Sequence, residues 1–297
     1  MLRPAALLAA IGLVTIAAPS SAVAQSDQGV LVTPRWLQQH LSDPGLVILQ
    51  VGTRETFDKE HIAGSQFIQV SDVALVEPPG NEMPPEDSLR HQLEKFGISD
   101  NSRLVVVMSD DYVSPSGRVM FTLYYAGLGD RTVFLDGGLP EWKRAGLPVI
   151  SAVQPAKPGK LTRRFSPQLI VDHVFMQSHS ATEYVRLVDA RTPNYYTGED
   201  FTDKWGLHPV GHIAGARNIP FNTVLDDSNR VLPRAKLLAL FKAAGITAGD
   251  TVVAYCHSGQ QATVILLAAR LAGFTTRLYD GSMNDWQARK LPLVKGP

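Results

Sequence analysis

The sequence predicts an α/β protein made by tandem duplication, each half a small parallel sheet flanked by helices. Three observations carry this. Short apolar or β-branched runs alternate with segments of helical spacing from residue 29 onward. A set of short blocks recurs in the same order in the two halves. Between the halves, residues 151–167 hold three prolines and several charges with no periodicity, the composition of a linker.

The first half starts with a helix over 33–41. Thr33 is the candidate N-cap, Pro34 suits the first helical position, and Trp36, Leu37 and Leu41 are its apolar residues. Residues 47–51 and 66–70 read as strands, 86–96 as a helix and 104–108 as a buried strand. A helix over 118–127 and a strand over 132–135 follow. The strand ends at Asp136-Gly137-Gly138, and a short helix covers 141–145. After the linker the order returns. Strands are expected at 187–190 and 216–219, a helix at 234–244, a strand at 251–255 and a helix at 262–272. A strand over 276–279 ends at Asp280-Gly281, and a short helix covers 284–289.

The recurrence is also literal. His61-Ile62-Ala63-Gly64 returns as His212-Ile213-Ala214-Gly215, and Gly97-Ile98 as Gly245-Ile246. Asp136-Gly137 and Trp142 return as Asp280-Gly281 and Trp286, and Leu147-Pro148 as Leu291-Pro292. His61 and His212 therefore read as structural residues of a turn before a strand, and the two tryptophans as core packing.

Composition narrows the function. The 297 residues are 44% hydrophobic, enough for one large or two medium domains. A formal net charge of +0 gives no basic excess for nucleic acid. The single cysteine excludes an intramolecular disulfide, a CxxC redox pair and a Cys-rich zinc site. No His/Asp/Glu spacing suggests a metal and no Gly-rich loop suggests a nucleotide, so no cofactor is expected. The N-terminus reads as a secretory leader over 1–24. Arg3 supplies the positive region, 5–18 the apolar core, and Ala22-Val23-Ala24 the small-residue cleavage site, so the mature chain is expected to start at Gln25. An uncleaved anchor is the alternative. The style is bacterial and the expected destination the periplasm, with no membrane contact once the leader is cleaved. That compartment is oxidising, where one unpaired thiol calls for a reason.

That thiol is Cys256. It follows the buried strand 251–255 and precedes the helix over 262–272, with a Gly-containing turn between them. Loop N–H groups and a helix N-terminus both favour a thiolate, the form in which cysteine is a nucleophile. By position alone the residue reads equally well as a small hydrophobe ending a strand. The first half has no thiol here: its strand runs into Ser109-Asp110-Asp111-Tyr112, with Asp110 near the place of Cys256.

The duplicated domain, the HIAG turn, the DG…W ending and one cysteine at a strand–loop–helix junction together resemble the two-domain rhodanese sulfurtransferases, over nearly the whole mature chain. Cys256-His257-Ser258-Gly259-Gln260-Gln261 resembles that family's six-residue active-site loop, and Asp189-Ala190-Arg191 its Asp-x-Arg motif. The resemblance implies an inactive rhodanese-like domain over 29–150, a linker over 151–166 and a catalytic domain over 167–297. It implies a persulfide on Cys256, loaded from thiosulfate or a related donor and discharged to a thiophilic acceptor such as cyanide. Partners are then small-molecule donors and acceptors, with a protein acceptor also open. Arg191, His257, Ser258, Gly259, Gln260 and Gln261 are the candidate substrate-binding residues. Gly259 serves the turn, Gln260 and Gln261 act through backbone N–H, and Ser258 gives either a hydroxyl contact or turn chemistry. Thiosulfate-specific loops of the family usually carry cations beside the cysteine. Here the loop side chains are neutral or weakly basic, so Arg191 is the expected cation and 3-mercaptopyruvate the alternative donor. A persulfide carrier or sulfur-binding protein without turnover is a further alternative. Asp189 is expected as a buried partner. Trp205, in an insertion over 201–209, is open between cleft lining and surface anchor. A cysteine phosphatase is excluded, because Ala262 stands where Cys-x5-Arg needs an arginine.

Overall fold

The computed structural model describes residues 29–75, 80–110, 112–179, 182–198 and 210–296. The expected leader over 1–24 and the insertion carrying Trp205 lie outside these residues.

In the first repeat β1 (Leu31–Val32), α1 (Pro34–His40), β2 (Leu46–Val51), α2 (Arg54–Lys59), β3 (Ser65–Ile68), α3 (Glu86–Lys95), β4 (Arg103–Met108), α4 (Ser114–Leu123), β5 (Thr132–Leu135) and α5 (Gly138–Arg144) follow in order. The second repeat has β6 (Ile170–Val171), α6 (His173–His179), β7 (Val185–Asp189), α7 (Pro193–Thr197), β8 (Arg217–Asn218), α8 (Arg234–Ala243), β9 (Thr251–Tyr255), α9 (Gln260–Ala272), β10 (Thr275–Tyr279) and α10 (Ser282–Ala288). Each forms a five-stranded sheet, in the orders β1-β5-β4-β2-β3 and β6-β10-β9-β7-β8. All ladders are parallel. The two orders are the same, as a duplication requires.

Several elements start or stop away from the expected residues, each for a local reason. α1 is capped by the Thr33 hydroxyl, which accepts the Trp36 N–H at 3.2 Å. α2, unforeseen, is a short polar helix capped the same way by Thr53. β1 and β6 are two-residue edge strands, too short to leave a period. α9 starts at Gln260 rather than 262, because Gly259 turns the chain through a left-handed conformation (φ +85°). α4 widens into a π-turn over Tyr124–Leu128 that Gly127 (φ +74°) ends.

Side-chain parity places the core. Along β4, Leu104, Val106 and Met108 face a large apolar core shared by both repeats, while Val105 and Val107 face a smaller one under α1 and α5. Along β9, Val252 and Ala254 face the shared core, and Val253 and Tyr255 the core under α10. Cys256 continues the parity that points between the repeats. In that shared layer α4 and α9 pack closely: a Cβ on Gly117 would lie 2.9 Å from Thr263 Oγ1. Each Val, Leu or Ile buried here contributes about 1.5–3 kcal/mol.

Residues 151–166 connect the repeats but do not hang free. Leu161 and Phe165 are buried, the Arg163 and Thr162 N–H groups donate to Asp100, and the Gly159 N–H donates to the Glu94 carbonyl at 2.8 Å. The segment is strapped to the first repeat by bonds to scattered residues, which leave no sequence period.

Candidate active site

β9 lies between β10 and β7, so its C-terminal end opens at the middle of the sheet. Cys256 follows directly and is 1% exposed. Its Sγ receives the backbone N–H groups of Ala262, Ser258, Gly259 and Gln261. Burial is the stronger influence and pushes the thiol above its ordinary range, with those donors opposing it. The expected shift toward thiolate is thus corrected: the donors are in place, but desolvation outweighs them. A cradle of this kind favours an anion that brings its own charge to the loop.

The turn is built for glycine. Besides its φ of +85°, a Cβ on Gly259 would lie 2.8 Å from the Asp280 carbonyl oxygen and 3.2 Å from Arg118 Nη1. The loop backbone hangs from the start of α10. Ser282 Oγ accepts the Cys256 N–H at 3.2 Å, the Met283 N–H donates to the Cys256 carbonyl at 3.0 Å, and the Asn284 N–H donates to the His257 carbonyl at 3.0 Å.

The other expected residues separate into groups. Gln261 contributes a backbone N–H to Sγ as expected, and its Oε1 is buried without a hydrogen-bond partner. Ser258 and Gln260 both engage Asn81 of the first repeat, whose Nδ2 donates to Ser258 Oγ at 2.9 Å and whose Oδ1 accepts from Gln260 Nε2 at 3.0 Å. His257 sets its ring edge-on to Tyr195, centroids 4.6 Å apart.

Arg191 is not on the loop surface. Its guanidinium is fully buried, with Nη2 donating to Asp189 Oδ2 and to the Gly211 carbonyl, both at 2.6 Å. Burial alone would lower its pKa; Asp189 reverses this and raises it, with Tyr255 and Cys256 adding to the effect. It is placed as a buried positive charge near Cys256 and not on the surface of the loop. Asp189 is its buried partner.

His61 and His212 stay in their turns. His61 Nδ1 pairs with the Phe57 carbonyl at 2.8 Å and His212 Nδ1 with the Tyr196 carbonyl at 2.9 Å, each ring stacked on that residue's ring. Trp142 and Trp286 donate to the carbonyls of Pro148 and Pro292.

Sequence reasoning missed what the first repeat brings to this site. Arg118 of α4 pairs with Asp280, whose second oxygen accepts the Met83 N–H at 2.6 Å. Glu82, from the same segment as Asn81 and Met83, has its carboxyl held above the usual range by burial, with Asp280 and Asp285 adding to it. The recurring Asp-Gly doublet marked Asp280; nothing local marked its partners. Register corrects one assignment. β4 aligns Leu104 with Thr132 as β9 aligns Val252 with Thr276, and those two threonines precede the matched Asp136 and Asp280 by the same spacing, so Met108, not Asp110, stands at the place of Cys256.

The Rhodanese-like domain family matches residues 33–145 and again 175–289. Among similar proteins, a probable 3-mercaptopyruvate sulfurtransferase from Pseudomonas aeruginosa is 31% identical over 86% of this chain and 94% of its own. Rat thiosulfate sulfurtransferase is 28% identical over 89% of this chain and 94% of its own. The fold matches an anaerobic ergothioneine biosynthesis enzyme from Chlorobium limicola with a TM-score of 0.80, at 19% identity over 91% of this chain and 71% of that one. With two matched domains in tandem, two five-stranded parallel sheets and relatives aligned along nearly their full length, this chain belongs to the two-domain rhodanese sulfurtransferase family.

Proposed function

We propose that the protein transfers a sulfane sulfur from thiosulfate, or a related donor, to a thiophilic acceptor through a persulfide on Cys256. One observation carries the reading: four backbone N–H groups converge on the chain's only thiol, at the buried end of a central strand. The Cys256 thiolate attacks the outer sulfur of thiosulfate. The sulfur–sulfur bond of the donor breaks and its electron pair leaves with sulfite, giving Cys256–S–S⁻. The terminal sulfur stays anionic within the N–H donors and the N-terminal end of α9. An acceptor such as cyanide attacks that sulfur, thiocyanate departs, and the thiolate returns. Charge is conserved in both steps, and no cofactor enters either.

3-Mercaptopyruvate is the second donor. The neutral loop side chains and the likeness to a relative of that name favour it. The mature chain belongs in the periplasm on this reading, supported by the sequence of residues 1–24. Intact mass of the secreted protein tests that, with a chain starting at Gln25 expected.

Intact mass also tests the chemistry. Incubation with thiosulfate should add one sulfur atom, which cyanide removes. A gain with mercaptopyruvate alone changes the donor and keeps the mechanism. No gain with either sinks turnover and leaves the carrier reading.

A further inference from the structure

We propose that Arg118, a residue of the first repeat, positions the Cys256 loop by holding Asp280. This rests on the reading of Cys256 as the sulfur-carrying residue.

The connection can be followed atom by atom. Arg118 Nη1 donates to Asp280 Oδ1, and Met83 of the same repeat gives its N–H to Asp280 Oδ2. Asp280 opens the turn into α10, from which the backbones of Cys256 and His257 hang through Ser282, Met283 and Asn284. The Asp280 carbonyl and Arg118 Nη1 are also the two nearest neighbours a Cβ on Gly259 would meet. Gly259 is one of the residues whose N–H faces Sγ. The donor set around the sulfur is therefore fixed in part by a guanidinium from the other repeat.

A stabilising staple would look different. Burying an ion pair costs desolvation that the attraction repays only with full hydrogen bonding. Arginine and carboxylate normally meet with two parallel bonds. Here Arg118 is fully buried, yet its Nε and Nη2 have no partner, because Asp280 has given its second oxygen to Met83. The arrangement forgoes pairing energy and keeps Asp280 in one place. Asn81 works beside it, bridging Ser258 and Gln260.

The test uses Arg118→Met, Arg118→Lys and Asp280→Asn in the full chain. Two readouts follow loop geometry: the rate of persulfide formation by intact mass, and the pH profile of iodoacetamide alkylation of Cys256. The charged and titratable groups around the thiol are Asp189, Arg191 and Tyr255 below it, His257 beside it, and Arg118, Asp280 and Glu82 at the repeat interface. Arg118→Met should slow sulfur uptake by about 10- to 100-fold, as loss of positioning does, and Arg118→Lys should regain most of it. The alkylation midpoint should rise in both Arg118→Met and Asp280→Asn, by about one pH unit in the first. The second variant separates causes: lost charge alone would lower its midpoint, whereas lost N–H alignment raises it. Shifts of opposite sign, or a lower melting temperature with unchanged uptake and alkylation, would overturn the proposal. Should Arg118→Met not fold, the other two variants decide by the same readouts. If the wild-type chain takes up no sulfur, the functional reading falls, and the alkylation comparison still decides the positioning.

Discussion

The two repeats run the same strand into the same helix and make different turns between them. In the second, Cys256 ends β9, Gly259 turns left-handed and α9 starts at Gln260, so N–H groups return onto Sγ at once. In the first, Met108 ends β4 and α4 does not start until Ser114, with Val113 right-handed at its N-cap. Ser109 Oγ is buried without a partner, and a Cβ on Gly52 would lie 2.6 Å from Ser109 Cβ. A side chain at the strand end is therefore not enough for a site. The turn after it has to bring the donors back, which takes a tight loop and a glycine.

The contrast also appears in how each repeat supports the other. Asp136 and Asp280, the matched Asp-Gly residues, both reach across: Asp136 accepts the Val231 N–H at 3.1 Å and Asp280 the Met83 N–H at 2.6 Å. Only the contact beside Cys256 adds a buried arginine, so the duplication has become asymmetric where one copy carries the thiol.

The largest test of this comparison removes its centre. Cys256→Ala should abolish persulfide formation and lower transfer by on the order of 10³-fold or more, with the melting curve nearly unchanged; retained turnover would mean the sulfur sits elsewhere. Next comes the turn. Gly259→Ala places a Cβ 2.8 Å from the Asp280 carbonyl at a positive φ and should slow sulfur uptake by about 10- to 100-fold. Gly249→Ala has a φ of +93° but meets nothing within 4 Å. It should leave uptake unchanged and cost about 1 kcal/mol in a thermal melt, from backbone strain alone.

Moving the thiol sharpens the point further. In a Cys256→Ala background, Met108→Cys should gain no sulfur by intact mass, since the loop from there to Ser114 is longer and holds no glycine; a gain would show that any buried strand-end thiol suffices. The pH dependence is subtler. Burial favours the neutral thiol, so the thiolate fraction of Cys256 grows only as pH passes above the ordinary thiol range. Alkylation by iodoacetamide should rise accordingly, and a midpoint below that range would show that the N–H donors outweigh burial. The smallest effect is expected at Asp136→Asn. Burial raises the Asp136 pKa and the amide oxygen still accepts from Val231, so the thermal melt should change by less than about 1 kcal/mol.

Some of this was legible in the chain. The β9–Cys256–α9 junction was read from an apolar run, one glycine and a helical period, all local signals. The histidine turns and tryptophan anchors were visible because they occur twice. Edge strands β1 and β6 were not, because two residues cannot show alternation. Nor was the strap over 151–166, which is held by bonds to two scattered residues, Asp100 and Glu94.

What the sequence determined by itself is therefore the duplication, the α/β order, and the one position where a thiol meets a turn. These follow from side-chain period, backbone preference and repetition, which act over a few residues. The tertiary structure decided that Arg191 lies buried near Cys256, that burial overrides the N–H donors at Cys256, and that Arg118 and Asn81 of the first repeat close the site. Those outcomes depend on which surfaces meet when two sheets share one core, and on how much water that meeting removes.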